Sequence, residues 1–197
     1  MSKNISRREA AGLKRAAEEI HSHDVDYQRA VNYEFYVLLV LVILVAFAIR
    51  SFIGEPIRVD GVSMYPTLKN DERMIVEKLT YYVKEPKRGD IIVCYYPGYK
   101  ESCVKRVIGV PGDTVAIYDG KIYINSQLAD ESEYWDDVIY GGVEPTLVPD
   151  KHVYVMGDNR NHSTDSRDPS VGAIPYEKIL GRAVCIMWPL SEIRPLT

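Results

Sequence analysis

The sequence predicts a mainly β protein, a barrel or sandwich, carried on one N-terminal transmembrane helix. Three observations predict it. Residues 35–49 are an unbroken apolar run. From residue 54 onward the chain breaks into short β-like runs separated by turn signals. The chain has 197 residues, of which 46% are apolar, enough to bury the core of one domain and leave an appendage.

Residues 1–34 are charged and polar, and they read as a cytoplasmic segment. Ser6-Arg7-Arg8-Glu9 fits a capping box. Leu13, Ala17 and Ile20 follow at helical spacing, so a short surface helix and a mobile tail are both open. The apolar run beginning at Phe35 extends past Arg50 and Ser51 to Ile53. Residues 35–53 as a helix would span about 28 Å at 1.5 Å per residue, close to a bilayer core. Arg50 can snorkel to the interface. Ala46-Phe47-Ala48 resembles a cleavage site. The segment before the run is, however, too long and too acidic for the n-region of a signal peptide, so the run reads as an uncleaved anchor. Lys14, Arg15 and Arg29 precede the span, and Arg50 and Arg58 follow it, so charge barely decides orientation.

The region 54–197 reads as one β-rich domain. Strand-like runs are Met74–Glu77, Asp90–Tyr96, Cys103–Val110, Thr114–Ile117, Lys121–Ile124, His152–Met156 and Gly181–Trp188. Asp119-Gly120 between two alternating runs predicts a tight hairpin. Residues 126–150 are acidic and weakly periodic, and read as a long loop or flap. Residues 54–197 hold 17 Lys+Arg against 22 Asp+Glu, which excludes the basic face of a nucleic-acid binder. Three cysteines, Cys94, Cys103 and Cys185, give neither a zinc signature nor a disulfide framework. Asp136-Asp137 lacks partners for a metal, and no cofactor is expected.

Two residues point to chemistry. Ser63 lies in Gly61-Val62-Ser63-Met64-Tyr65-Pro66, where stiff neighbours suit an irregular turn that can aim a side chain. Lys105 alternates with Cys103 and Val107 on one strand face, while Arg106 points to the other. A core-facing lysine is rare unless paired or functional. Burial lowers its pKa, and a neutral lysine is a base for a serine hydroxyl. Ser102-Cys103-Val104-Lys105 also matches S-x-x-K, but that motif needs a helix start and partner motifs absent here. The polar stretch Gly157–Arg167 can be a solvated loop or can brace a site; His152 and His162 read as exposed.

Gly61-Val62-Ser63-Met64-Tyr65-Pro66-Thr67-Leu68, Arg88-Gly89-Asp90-Ile91-Ile92-Val93, Lys105 to Asp113, and Gly157–Arg167 together resemble bacterial type I signal peptidases. The single anchor and the short 126–150 region resemble the Gram-positive kind. The resemblance implies a signal-peptidase-type β-barrel or sandwich catalytic domain outside the membrane, with residues 1–34 cytoplasmic. It implies Ser63 as nucleophile, Lys105 as general base, Ser163 as the hydroxyl orienting the lysine, and Asp165 with Arg167 as a supporting salt bridge. Gly61, Val62 and Met64 are then oxyanion or substrate-cleft positions. Some members carry a serine where this chain has Gly61, which leaves the second oxyanion donor open. The implied partners are signal peptides of secretory precursors, the lipid bilayer, and the secretion translocon nearby. The alternative is a signal-peptidase-like anchored assembly factor, for example for pilins. A self-cleaving repressor-type domain has no use for a membrane run, and eukaryotic-type relatives carry histidine at the position of Lys105. Phe52, Ile53, Met64 and Tyr65 are expected to form an apolar face against the bilayer.

Overall fold

A computed structural model describes residues 12, 14–15, 32–47, 54–98, 100–135 and 137–196. The chain divides into two compact units, Met1–Ile49 and Arg50–Thr197. In the first, residues 32–47 are helical (α1). Phe35, Leu38, Leu41, Ile43 and Leu44 are each more than half exposed, so from Phe35 onward α1 is apolar on all sides. Among the described residues no helix is long and apolar enough to cross a membrane. The expected anchor runs on to Ile53, and residues 48–53 lie outside the described ones, as do Ser6–Glu9, Leu13, Ala17 and Ile20.

The second unit is mainly β. Its strands are β1 (Gly54–Arg58), β2 (Arg73–Glu77), β3 (Ile91–Tyr95), β4 (Ser102–Gly109), β5 (Thr114–Tyr118), β6 (Lys121–Ile124), β7 (Gln127–Leu128), β8 (Val143–Leu147), β9 (His152–Met156), β10 (Ile174–Pro175), β11 (Ile179–Trp188) and β12 (Arg194–Pro195). The larger sheet runs β1-β2-β11-β3-β4-β9-β10, with β12 also on β11; the smaller runs β7-β6-β5-β8. The strand pairs are antiparallel.

β3 shows how the larger sheet is covered. Its successive residues point to opposite faces. Ile91 and Val93 join a cluster with Val59, Met64, Leu68 and Met74, while Ile92 and Cys94 join one with Val107, Val153 and Ile174. Both faces are therefore apolar, and the strand reads as a continuous Ile-Ile-Val-Cys run. A third cluster packs Ile108, Tyr154 and Met156 of the larger sheet on Val115, Ile117 and Ile122 of the smaller.

Every strand-like run expected from the sequence is a strand, within one or two residues at each end. In the β5–β6 hairpin Tyr118 pairs with Lys121, and Asp119 and Gly120 have φ 49° and 72°. Positive φ at both central residues is the turn that Asp-Gly favours. The differences have a common cause. Residues 126–150, expected as a loop or flap, contain β7 and β8. β8 is Val-Glu-Pro-Thr-Leu, mostly exposed and paired only with β5. Such an edge strand tolerates proline and carries no buried alternation to read. β1 is also an edge strand interrupted by proline, Pro56.

One buried ion pair ties the middle of β4 to the chain leaving β9. Arg106 Nε donates to Asp158 Oδ1 and Arg106 Nη2 to Asp158 Oδ2, each at 2.9 Å, with side chains only 4% and 0% exposed. The Tyr134 ring lies 4.0 Å from the guanidinium carbon of Arg106. Arg160, also buried, pairs with Glu131 and donates to Gly157 O at 3.1 Å. Residues of the 126–150 segment thus close over the start of the Gly157–Arg167 stretch.

Asp158→Ala removes the carboxylate against which the Arg106 guanidinium is buried. Asp158→Ala is expected to cost about 3–5 kcal/mol, measured as a lower urea midpoint at an unchanged m-value. A loss below about 1 kcal/mol, the range of surface pairs, would show that the pair is not a structural tie.

Candidate active site

Ser63 sits in the loop between β1 and β2. Val59 N–H donates to Glu72 O at 2.8 Å and Asp71 N–H to Val59 O at 2.9 Å, so the loop base is closed like a ladder. Within it, Tyr65 N–H donates to Val62 O at 3.1 Å and Leu68 N–H to Met64 O at 2.8 Å. Met64 and Leu68 are 2% and 0% exposed and join the core on one face of the larger sheet. These two anchors fix the turn and leave Ser63 half-buried. Gly61 has φ +96°, which side-chain-bearing residues rarely adopt.

Lys105 lies in the middle of β4, opposite Ile92 of β3. It is 4% exposed. Its Nζ donates to Ser63 Oγ at 2.8 Å, a hydrogen bond spanning 42 residues of sequence. Burial pushes the Lys105 amine below its ordinary value; the Cys103 thiol and the Asp165 carboxylate oppose this, and Arg167 adds to it. An amine lowered this way is more readily neutral, and at this distance a neutral amine can accept the hydroxyl proton.

The Gly157–Arg167 stretch lies against both residues. Asp165 is 1% exposed; it accepts from Gly157 N–H at 3.0 Å and pairs with Arg167 Nε at 2.8 Å. Arg167 Nη2 also donates to Arg160 O at 2.5 Å. Ser163 packs against Gly157, where an added Cβ would sit 2.3 Å from Ser163 Oγ and 2.4 Å from Ser63 O. Ser163 Oγ contacts Thr164 O at 3.5 Å, and no hydrogen bond joins it to Lys105 in this structure. A cavity of about 240 Å³ opens beside Ser163, lined by Tyr140, Gly142, Thr164 and Arg167; neither Ser63 nor Lys105 lines it.

The other expected positions divide. Val62 is exposed at the rim of the Ser63 turn. Met64 does not face outward: it is in the core, and so lines neither a cleft nor a bilayer-facing surface. The adjacent Tyr65 is 56% exposed, and Phe52 and Ile53 lie outside the described residues. Alternating exposure along a turn cannot be read from residue type, since a turn has no fixed period. Gly61 N–H donates to Asn70 Oδ1 at 2.8 Å, so it is already used, whereas no hydrogen bond among the described residues engages Ser63 N–H. The three cysteines are free thiols; Cys94 and Cys103 face one another across β3 and β4 with sulfurs 3.6 Å apart.

Two site residues were not legible as such. Gly157 and Asn159 belong to a stretch that reads only as polar and small, yet Asn159 N–H donates to Ser63 O at 3.0 Å and Asn159 Nδ2 to Val62 O at 3.1 Å. The Gly-Asp-Asn sequence directly after an apolar strand was the available signal; its target, 94 or more residues earlier, was not.

Comparison with known proteins gives a consistent result. Residues 32–188 match the family model described as signal peptidase, peptidase S26. The chain is 37% identical over 166 residues to the probable signal peptidase I-2 of Synechocystis sp., covering 81% of this chain and 74% of that protein. It is 39% identical over 165 residues to signal peptidase I T of Bacillus subtilis, covering 79% and 85%. It is 39% identical over 166 residues to signal peptidase I of Leptolyngbya laminosa, covering 79% of each.

The contact at Gly157 is the tightest in the site. A methyl group there must push the Ser63 carbonyl away, and a displacement near 1 Å at a reacting group costs about a hundredfold in rate. Gly157→Ala is therefore expected to lower kcat by about that factor while the protein still unfolds cooperatively. Full activity in this variant, measured on a labelled precursor, would mean that the turn is free to move.

Proposed function

We propose, for a chain that belongs to the signal peptidase family, peptidase S26, that Ser63 and Lys105 form a catalytic dyad removing N-terminal signal peptides from secreted precursors. The protein is a serine endopeptidase. The observation that carries the dyad is the 2.8 Å hydrogen bond between Lys105 Nζ and Ser63 Oγ at a site where the amine is 4% exposed.

Neutral Lys105 takes the Ser63 proton as Oγ attacks the carbonyl carbon of the scissile bond. The tetrahedral oxyanion is met by Ser63 N–H, which no hydrogen bond among the described residues engages. The lysine ammonium then passes its proton to the departing amine, leaving an acyl-enzyme on Ser63. A water molecule, deprotonated by the same lysine, hydrolyses it. Ser163, Asp165 and Arg167 act as supports. The carboxylate of Asp165 holds Gly157 N–H and Arg167 together, keeping the wall behind Ser63 in place. The second oxyanion donor is not Gly61 N–H, whose hydrogen already lies on Asn70. Cleavage follows small residues one and three positions before the cut. An extended substrate points alternate side chains at the enzyme, and shallow pockets exclude bulk. The absence of any charged residue from Phe35 to Ile49 supports residues 35–53 as a single membrane anchor. Residues 1–34 are then cytoplasmic and 54–197 external, facing translocated precursors at the secretion translocon.

The dyad is tested with purified full-length protein and a labelled precursor. Ser63→Ala and Lys105→Ala should abolish cleavage. Lys105→Arg should be equally inactive, because a guanidinium keeps its proton at any usable pH. With the lysine pKa lowered, kcat/KM should climb with pH and be greatest on the alkaline side. Stability follows the same group. Below the lowered value the buried amine is charged and the native state carries the whole penalty; as pH rises from there toward about 10.4 the penalty is relieved. Turnover by Lys105→Arg, or a rate maximum below about pH 5, under even the most depressed buried lysines, would remove Lys105 from the base role.

The topology has a separate test. Protease added to intact spheroplasts should digest residues 54–197 and spare the N-terminal segment. Protection of the large domain until lysis would reverse the orientation.

A further inference from the structure

The nucleophile turn is gripped from outside by one residue that the dyad does not include. Asn159 follows directly on Asp158 and is half-buried. Its backbone N–H donates to Ser63 O at 3.0 Å, and its side-chain Nδ2 donates to Val62 O at 3.1 Å. We infer that Asn159 is a positioning residue for the oxyanion donor: by holding the Val62 carbonyl, its side chain sets the direction of Ser63 N–H. This rests on the reading of Ser63 as nucleophile.

The argument is covalent geometry first. Val62 C=O and Ser63 N–H are the two ends of one planar peptide, pointing in opposite directions. Fixing the oxygen therefore fixes the hydrogen. The peptide on the other side of Ser63 is fixed by the backbone of the same Asn159. Ser63 is thus flanked by two peptides held by one residue, and no hydrogen bond among the described residues engages its own N–H. Val62 O also accepts from Tyr65 N–H at 3.1 Å, but that bond is internal to the turn and moves with it. The Asn159 bond is the one that ties this peptide to the framework. A carbonyl already accepting hydrogen bonds also polarises its amide, which strengthens the N–H as a donor.

The framework reference is short. Lys105 is followed by Arg106, whose guanidinium holds the Asp158 carboxylate in a buried pair. Asp158 is followed by Asn159, which holds the peptide of Val62 and Ser63. The general base and the oxyanion donor are therefore positioned through one strand and one ion pair. The residue type also fits. Val62 O can only accept, so the amide nitrogen must face it. An aspartate of the same shape would place a carboxylate oxygen against it and push the peptide away.

The test uses Asn159→Ala and Asn159→Asp in the full-length protein, with steady-state cleavage of a labelled precursor and a thermal unfolding curve for each. Asn159→Ala should lower kcat about tenfold or more, somewhat less than deleting an oxyanion donor outright. KM should stay within about twofold, since the interaction is one made in the transition state. The pH at which activity rises should not move, because Lys105 remains as buried as before. Asn159→Asp, though matched in size, should do no better than alanine. Should Asn159→Ala be unfolded at the assay temperature, Asn159→Asp, which keeps the volume and the backbone bond, decides alone. A raised KM at normal kcat would make Asn159 a substrate contact instead. Wild-type kcat in Asn159→Asp would reduce its role to shape, and a shifted pH profile would place its effect on the lysine; each of these overturns the proposal. Ser63→Ala run in parallel separates the two readings: cleavage surviving in that variant overturns Ser63 as nucleophile together with the role built on it, whereas an inactive Ser63→Ala beside a wild-type kcat in Asn159→Asp overturns the positioning role alone.

Discussion

An amine held out of water against a hydroxyl is the constraint around which the catalytic unit is arranged. Lys105 cannot be lowered into a useful range on an exposed strand, because water would stabilise its charge at no cost. It has to sit mid-strand in a sheet covered on both faces, which is the position β4 has between β3 and β9. The hydroxyl must then come to it. That requires a turn whose own apolar residues are buried deeply enough to hold Ser63 against the sheet, and Met64 and Leu68 supply the anchors. The same burial that removes Met64 from the surface is what aims its neighbour.

The two faces of β4 divide the work. On one side Lys105 meets Ser63. On the other Arg106 meets Asp158 beneath the ring of Tyr134. A buried ion pair is a poor source of net stability but a strict fixer of register, since any slip leaves charges unpaired in a dry place. Here it holds the chain leaving β9, and that chain supplies Gly157, Asn159 and Asp165 around the serine. Glu131 and Tyr134, from a segment with few apolar residues to bury, are held on this network by charge and by ring stacking. A region that looks like a surface flap thus reaches the back of the site.

Strands with a strong pattern were legible because their burial follows their period. The Asp119-Gly120 hairpin was legible because positive φ at two successive positions selects those residues. β8 and β1 escaped because an edge strand with a proline needs little apolar alternation. Lys105 stood out because a charge in an apolar run is costly unless it is used. Met64 was misplaced because hydrophobicity marks a residue for burial or for contact without saying which, and only the turn's path decides.

The amino-acid sequence by itself determined the β-rich unit and the apolar N-terminal run, which follow from local rules: the period of burial and the φ of glycine. It singled out Ser63 and Lys105 as an expected pair only through the resemblance of their stretches to signal peptidases; local rules left each open as an ordinary turn or strand residue. Only the tertiary structure decided which atoms meet. The bond between Lys105 and Ser63 closes 42 residues of chain, and the grip of Asn159 on Val62 closes 97. Such contacts carry no periodic trace in sequence, because each depends on the path of every strand between its two ends.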